Sequence, residues 1–198
     1  MFFDKASQQA FVFPTKCGSQ SARRFLNLCD WKNIGSNHFV AEKFIEKYPN
    51  LANYQIYAFF RDPVKRFESG VLYVKQVRLF HAVLENLLEQ NGIQKTRELV
   101  TYDELVDILP QLVENFGFIF DPQSNWYVAP NVTPLDINNM ESELRRITGN
   151  VDAPFEVRNI STEFGRSVIT DKVRNFVREY YAADYALAKD RLGKEYGV

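Results

Sequence analysis

Soft metal ligands are scarce in this chain. Its 198 residues include two cysteines, Cys17 and Cys29, and two histidines, His38 and His81. None falls into the paired spacings of a structural zinc site, and two cysteines so placed make no disulfide framework, so no metal is expected. A dominant charge is lacking too. Lys plus Arg number 24 against 25 Asp plus Glu, a net charge of -1. No global field therefore draws the chain to nucleic acid or to an anionic membrane, and any anion site has to be local. No segment approaches the roughly 18 uninterrupted apolar residues of a membrane span. The N-terminus, Met1-Phe2-Phe3-Asp4-Lys5, has no basic region followed by a long apolar run. The expectation is a soluble, cytoplasmic protein with no membrane partner. Asn131-Val132-Thr133 and Asn159-Ile160-Ser161 have the form of glycan acceptors but, without a secretory signal, read as chance matches. Repeats, linkers and low-complexity segments are absent, and at 45% hydrophobic the chain can bury a sizeable core, so residues 1–198 read as one domain.

What is present is a repeated strand, loop and helix. Ala10 to Phe13 is a short apolar run that stops at Pro14, as a buried parallel strand would. After a small, polar loop, Ala22, Phe25, Leu26 and Cys29 recur at helical spacing. Gln55 to Phe60 is a second buried strand, followed by Asp62 as a helix N-cap and Pro63 at the first helical position. Helical segments follow around Leu79 to Gln90 and from Thr101, where Thr101-x-x-Glu104 spells a capping box. Phe116 to Pro134 is aromatic and proline-punctuated without clear period, and Leu135 to Thr148 reads as a short strand and a helix. One long helix is expected from Asp171 to about Leu192, on the apolar stripe Val173, Val177, Tyr180, Tyr181, Leu187, Ala188 and Leu192. The fold class is α/β, a central parallel sheet flanked by helices.

A loop between a buried strand and a helix N-terminus suits an anion, because unpaired N–H groups and the helix dipole face it. Lys16-Cys17-Gly18-Ser19-Gln20-Ser21 holds that position. Gly18 is expected to let the backbone approach a phosphate, Ser19 and Ser21 to add hydroxyl donors, and Lys16 a mobile charge. The nucleotide triphosphatase pattern G-x-x-x-x-G-K-[ST] is absent, since the lysine precedes the glycine. A plainer reading of the loop is a polar turn. At the second junction, Arg61 ends the strand where parallel α/β sheets place ligands, and Ser69 lies two turns along the helix beside Gly70. An Arg fork with a hydroxyl suits a phosphate monoester. The plainer reading is a surface ion pair for Arg61 and a small packing patch at Ser69-Gly70.

Together the two junctions resemble the sulfotransferases that use 3′-phosphoadenosine 5′-phosphosulfate, in particular the carbohydrate-type branch related to the uronyl 2-O and chondroitin enzymes. The family's 5′-phosphosulfate loop, P-K-x-G-[ST]-x-[ST], is similar to Pro14-Thr15-Lys16-Cys17-Gly18-Ser19-Gln20-Ser21, with Thr15 as one extra residue. Its 3′-phosphate motif, R-D-P-x-x-R-x-x-S, is matched at every fixed position by Arg61-Asp62-Pro63-Val64-Lys65-Arg66-Phe67-Glu68-Ser69. Asp121-Pro122-Gln123 resembles its proline-glutamine segment, and Tyr181-Ala182-Ala183-Asp184-Tyr185 its terminal Y-x-x-D-[YF] helix.

The resemblance implies a P-loop NTPase-like sulfotransferase fold and transfer of a sulfuryl group to an acceptor hydroxyl, in the first instance of a glycan. It gives Lys16 the leaving oxygen, Cys17, Gly18, Ser19, Gln20 and Ser21 the 5′-phosphate, and Arg61 and Ser69 the 3′-phosphate. The branch carries a histidine base at a place similar to His38, 23 positions before Arg61, and a neutral imidazole suits proton removal. His81, in an amphipathic segment beside Phe80 and Val83, reads as packing. Arg23 and Arg24 stand where the glutamate branch carries its acid, which favours the histidine. The lack of a membrane anchor departs from animal Golgi enzymes and points to a microbial or viral source. Two other readings stay open: a nucleotide or nucleoside kinase-like enzyme, and a non-catalytic nucleotide-binding interaction protein.

Overall fold

The chain starts with a hairpin that no sequence pattern announced. In the computed structural model, which describes residues 1–35, 40–158 and 166–197, Phe2–Asp4 (β1) runs antiparallel to Gln9–Phe11 (β2). Asp4 closes the turn: its carboxylate accepts from Ala6 N (3.3 Å), Ser7 N (2.9 Å) and Ser7 Oγ (2.6 Å), the side-chain-to-backbone device that favours Asp in turns. Lys32–Asn33 (β3) pairs antiparallel with β1 on its other edge. Gln55–Phe60 (β4) lies parallel to β2, and Val132–Asp136 (β5) parallel to β4, giving the order β3-β1-β2-β4-β5. The sheet is thus mixed where a parallel one was expected. Its parallel part is β2, β4 and β5, and the N-terminal hairpin adds the antiparallel edge.

The helices, in chain order, are Ser19–Leu28 (α1), Ala41–Lys47 (α2), Pro63–Gln76 (α3), His81–Gln90 (α4), Tyr102–Asp107 (α5), Leu109–Phe120 (α6), Met140–Thr148 (α7), Asp171–Tyr180 (α8) and Ala182–Leu192 (α9). By contacts the chain forms two compact units. One comprises Met1–Arg61, Gln123–Asn159 and Ala186–Val198, and the other Asp62–Pro122 and Ile160–Tyr185.

The first unit is the sheet with apolar cover on both faces, which explains why β4 from Ile56 to Phe60 reads as an unbroken run of aliphatic and aromatic residues. Ile56, Ala58 and Phe60 pack with Val12, Trp126, Tyr127 and Ala188 on one face. Tyr57 and Phe59 pack with Phe11, Phe13, Phe25 and Leu144 on the other, beneath α1 and α7. Pro134 sits within β5, which among the described residues is the edge strand beside β4; proline is tolerated at such an edge because it has no N–H to give to a further strand.

The second unit is helical. Its core joins Phe67, Val71 and Val74 of α3 to Leu84 and Leu88 of α4, Leu105 of α5, Leu112, Phe116 and Phe120 of α6, and Val173 and Val177 of α8. The helix starts follow the sequence: Asp62 Oδ1 accepts from Lys65 N at 3.0 Å with Pro63 at the first position. The Thr101 box is closed in both directions, by Glu104 N to Thr101 Oγ1 (3.3 Å) and Thr101 N to Glu104 Oε2 (2.8 Å). The last long helix is instead two, because Tyr181 leaves helical geometry (φ -101°, ψ 29°). Its ring is buried and its hydroxyl donates to Phe120 O at 2.8 Å. Among the described residues no helix is long and apolar enough to cross a membrane.

Candidate functional site

The β2-to-α1 loop carries two residues of left-handed backbone, Lys16 (φ 64°) and Gly18 (φ 72°), the second being the N-cap of α1. For Lys16, a residue with a Cβ, this conformation is strained, and it persists only where the surroundings hold it. No side chain caps the helix start and no acidic residue occupies its first turn. The positive end of the helix dipole, with the Ser19, Gln20 and Ser21 N–H groups, therefore sits directly after the loop. Gly18 also serves the protein's own packing. A Cβ there would overlap the Met140 methyl and lie 3.3 Å from Ile137 Cδ1.

Arg61, just past the end of β4, reaches this loop: its Nη1 donates to Lys16 O at 3.0 Å. Both residues are half-buried. Behind them lies Gln123, 0% exposed. Its Oε1 accepts from Arg61 N (2.9 Å) and from the Cys17 thiol (3.0 Å), while its Nε2 donates to Arg61 O (2.8 Å). The two junctions singled out in the sequence are thereby joined into one cluster at the carboxyl ends of neighbouring parallel strands, the place where open α/β sheets bind ligands. The cluster brings the Arg61 guanidinium, the Lys16 backbone and the N-terminus of α1 together, the kind of groups that suit an anion.

No family model matches this chain, and no curated protein or solved structure is significantly similar to it. The site has to be judged on its geometry.

The remaining expected residues fall out as follows. Cys17 is 1% exposed and its thiol points to Gln123, so only its backbone can face a ligand. Ser21 is buried, and its Oγ accepts from Arg158 N at 2.9 Å, which ties α1 to the chain beyond α7; the hydroxyl proton remains its own donor. Arg24 pairs with Glu156 at 2.9 Å, and the Arg23 guanidinium lies 5.7 Å from the Phe13 ring centroid. Ser69 belongs to α3 in the second unit and is buried there. Beside it, Gly70 allows α6 to come close: a Cβ would lie 3.0 Å from Ile119 Cγ2 and 3.1 Å from Phe120 Cε1. The motif arginine Arg66 is a structural residue, 1% exposed, with Nη2 donating to Ile119 O at 3.0 Å and its guanidinium 5.9 Å from the Tyr181 ring centroid. His38 lies outside the described residues. His81 opens α4. Among the described residues no group of three or more His, Cys, Asp or Glu side chains is placed to hold a metal.

Gln123 was visible in the sequence only as part of a similar segment. Its work is to satisfy a backbone 62 positions away, and no local pattern signals such a partner.

Proposed function

We propose that this chain is a sulfotransferase of P-loop NTPase-like fold, using 3′-phosphoadenosine 5′-phosphosulfate as donor and a hydroxyl, first of all on a glycan, as acceptor. The observation that carries the reading is the bond from Arg61 Nη1 to Lys16 O. It joins the loop that resembles a 5′-phosphosulfate cradle to the first residue of the motif that resembles a 3′-phosphate site. A donor with phosphates at both ends of its ribose needs two cationic groups, and the bond holds the backbone of one, Lys16, against the guanidinium of the other, Arg61.

In the reaction the acceptor oxygen forms a bond to sulfur while the bond from sulfur to the 5′-phosphate oxygen breaks. The acceptor proton passes to a base, for which His38 is the candidate, and 3′,5′-phosphoadenosine departs. Lys16 neutralises charge on the leaving oxygen, and the Ser19 to Ser21 amides hold the 5′-phosphate, so positioning and electrostatics carry the catalysis as in phosphoryl transfer. The test is transfer from sulfur-labelled donor across polysaccharides, oligosaccharides, lipids and small alcohols, with Lys16→Ala and His38→Ala beside the wild type. Labelled product from the wild type and at least a hundredfold less from each variant, the scale of a lost catalytic group, is expected. Equal turnover in both variants would remove the assigned roles.

A further inference from the structure

The residue that sets the geometry of the anion site is one that touches no ligand in the reading above. We infer that Gln123 is a positioning residue, which fixes Lys16 and Arg61 relative to each other through a single buried amide. The inference rests on the sulfotransferase reading for what the site does, and on hydrogen bonds alone for how it is held.

The β4–β5 ladder ends with Phe60 opposite Asp136, so Arg61 is the first residue beyond it. A backbone leaving a sheet has lost its strand partner, and its N–H and C=O need another. The Gln123 side chain meets both, accepting from Arg61 N at 2.9 Å and donating to Arg61 O at 2.8 Å. It thereby acts as one more peptide group of a neighbouring strand. The direction in which the Arg61 side chain leaves the backbone is set there, and the guanidinium then holds Lys16 O at 3.0 Å. The other end of the same loop is held through Cys17, whose thiol donates to Gln123 Oε1 at 3.0 Å. Lys16, in its strained left-handed conformation (φ 64°), is thus gripped on one side by Arg61 and on the other by its neighbour Cys17, and both grips lead back to Gln123. A strained backbone needs such over-determination.

Two measurements on the full chain separate this inference from the sulfotransferase reading. The first needs no ligand: amide hydrogen exchange in Gln123→Met, which keeps the volume and removes the amide. Exchange at Lys16 to Gly18 and at Arg61 is expected to quicken about tenfold or more, while α7 and the helices of the second unit exchange as in the wild type. Unchanged exchange in the loop would overturn the inference whatever the enzyme does, and general quickening would show a merely structural residue, which overturns it equally. The second is turnover of Gln123→Met with and without Lys16→Ala. Because Gln123 acts through Lys16 and Arg61, the single variant loses about tenfold or more in kcat with the acceptor KM little changed. In the Lys16→Ala background it costs less than in the wild type, because only the path through Arg61 remains. Full additivity would overturn the inference. A quickened loop in a protein that neither binds 3′,5′-phosphoadenosine nor transfers sulfuryl groups would leave Gln123 in its role and remove the sulfotransferase reading instead.

Discussion

Lys16 allows the strain in the anion loop to be measured. At φ 64° it holds a conformation that costs an L-residue about 1–2 kcal/mol and glycine almost nothing. Glycine loses more backbone freedom on folding, a penalty of about 0.5–1 kcal/mol relative to alanine at ordinary positions. At position 16 the first effect outweighs the second. Lys16→Gly is therefore expected to be more stable than Lys16→Ala by roughly 0.5–1 kcal/mol, the reverse of the usual order. The loss of the ammonium is common to both variants and cancels in the comparison. Denaturant unfolding followed by tryptophan fluorescence is the assay, since Trp31 and Trp126 are both buried in the unit that contains Lys16. Both variants should lose donor binding alike, so that the more stable protein is no better an enzyme, as expected where strain is kept at a functional site. An alanine variant as stable as the glycine variant would refute the left-handed loop and with it the proposed aim of the lysine.

Other outcomes follow from the helical unit. Gly70→Ala gains about 1 kcal/mol in helix propensity, but its Cβ falls 3.0 Å from Ile119 and 3.1 Å from Phe120. Overpacking of this kind costs about 1–3 kcal/mol, so a lower melting temperature is expected and a higher one would contradict the close packing of α3 on α6. Lys75 is buried, with Nζ donating to Val100 O at 2.8 Å and lying 5.9 Å from the Tyr102 ring centroid. Burial pulls its ammonium down from 10.5 to about 8, against the weaker pull of Glu98 and Glu104. With the folded value below the unfolded one, the unfolded chain binds more protons between them, so stability rises as pH goes from about 8 towards 10.5. Lys75→Met should abolish a rise of roughly 2–3 kcal/mol, read by far-ultraviolet circular dichroism during unfolding; parallel stability curves for the two proteins would contradict it.

How far the sequence could be read depended on whether a feature is local. β4 was legible because both its faces are buried from Ile56 on, which makes Ile56 to Phe60 an unbroken run of aliphatic and aromatic residues after the exposed Gln55. Asp62, Pro63 and the Thr101–Glu104 box announced their helices through capping chemistry contained within four positions. β1 and β3 were missed, having 3 and 2 residues, too few to show an alternation. The break at Tyr181 was hidden because α8 and α9 both keep apolar residues at helical spacing, and one residue out of helical geometry leaves the stripe intact. In the site, Arg61 stood out at a strand end and Lys16 in the loop between a strand and a helix. The glycines signalled close approach without saying of what: Gly18 meets Met140 and Ile137, and Gly70 meets α6. Gln123 could not be found from spacing, since a buried amide that completes a distant backbone looks like any other glutamine.

The central claim is that Lys16 and Arg61 grip a donor with phosphates on both its 3′ and 5′ sides. Titration calorimetry of the wild-type chain with 3′,5′-phosphoadenosine and with ADP tests it most directly. The predicted result is binding of 3′,5′-phosphoadenosine at least about tenfold tighter than ADP, about 1.4 kcal/mol or more for the added 3′-phosphate, and loss of that preference in Arg61→Ala. Equal affinity for the two nucleotides, or tighter binding of ADP, would contradict it.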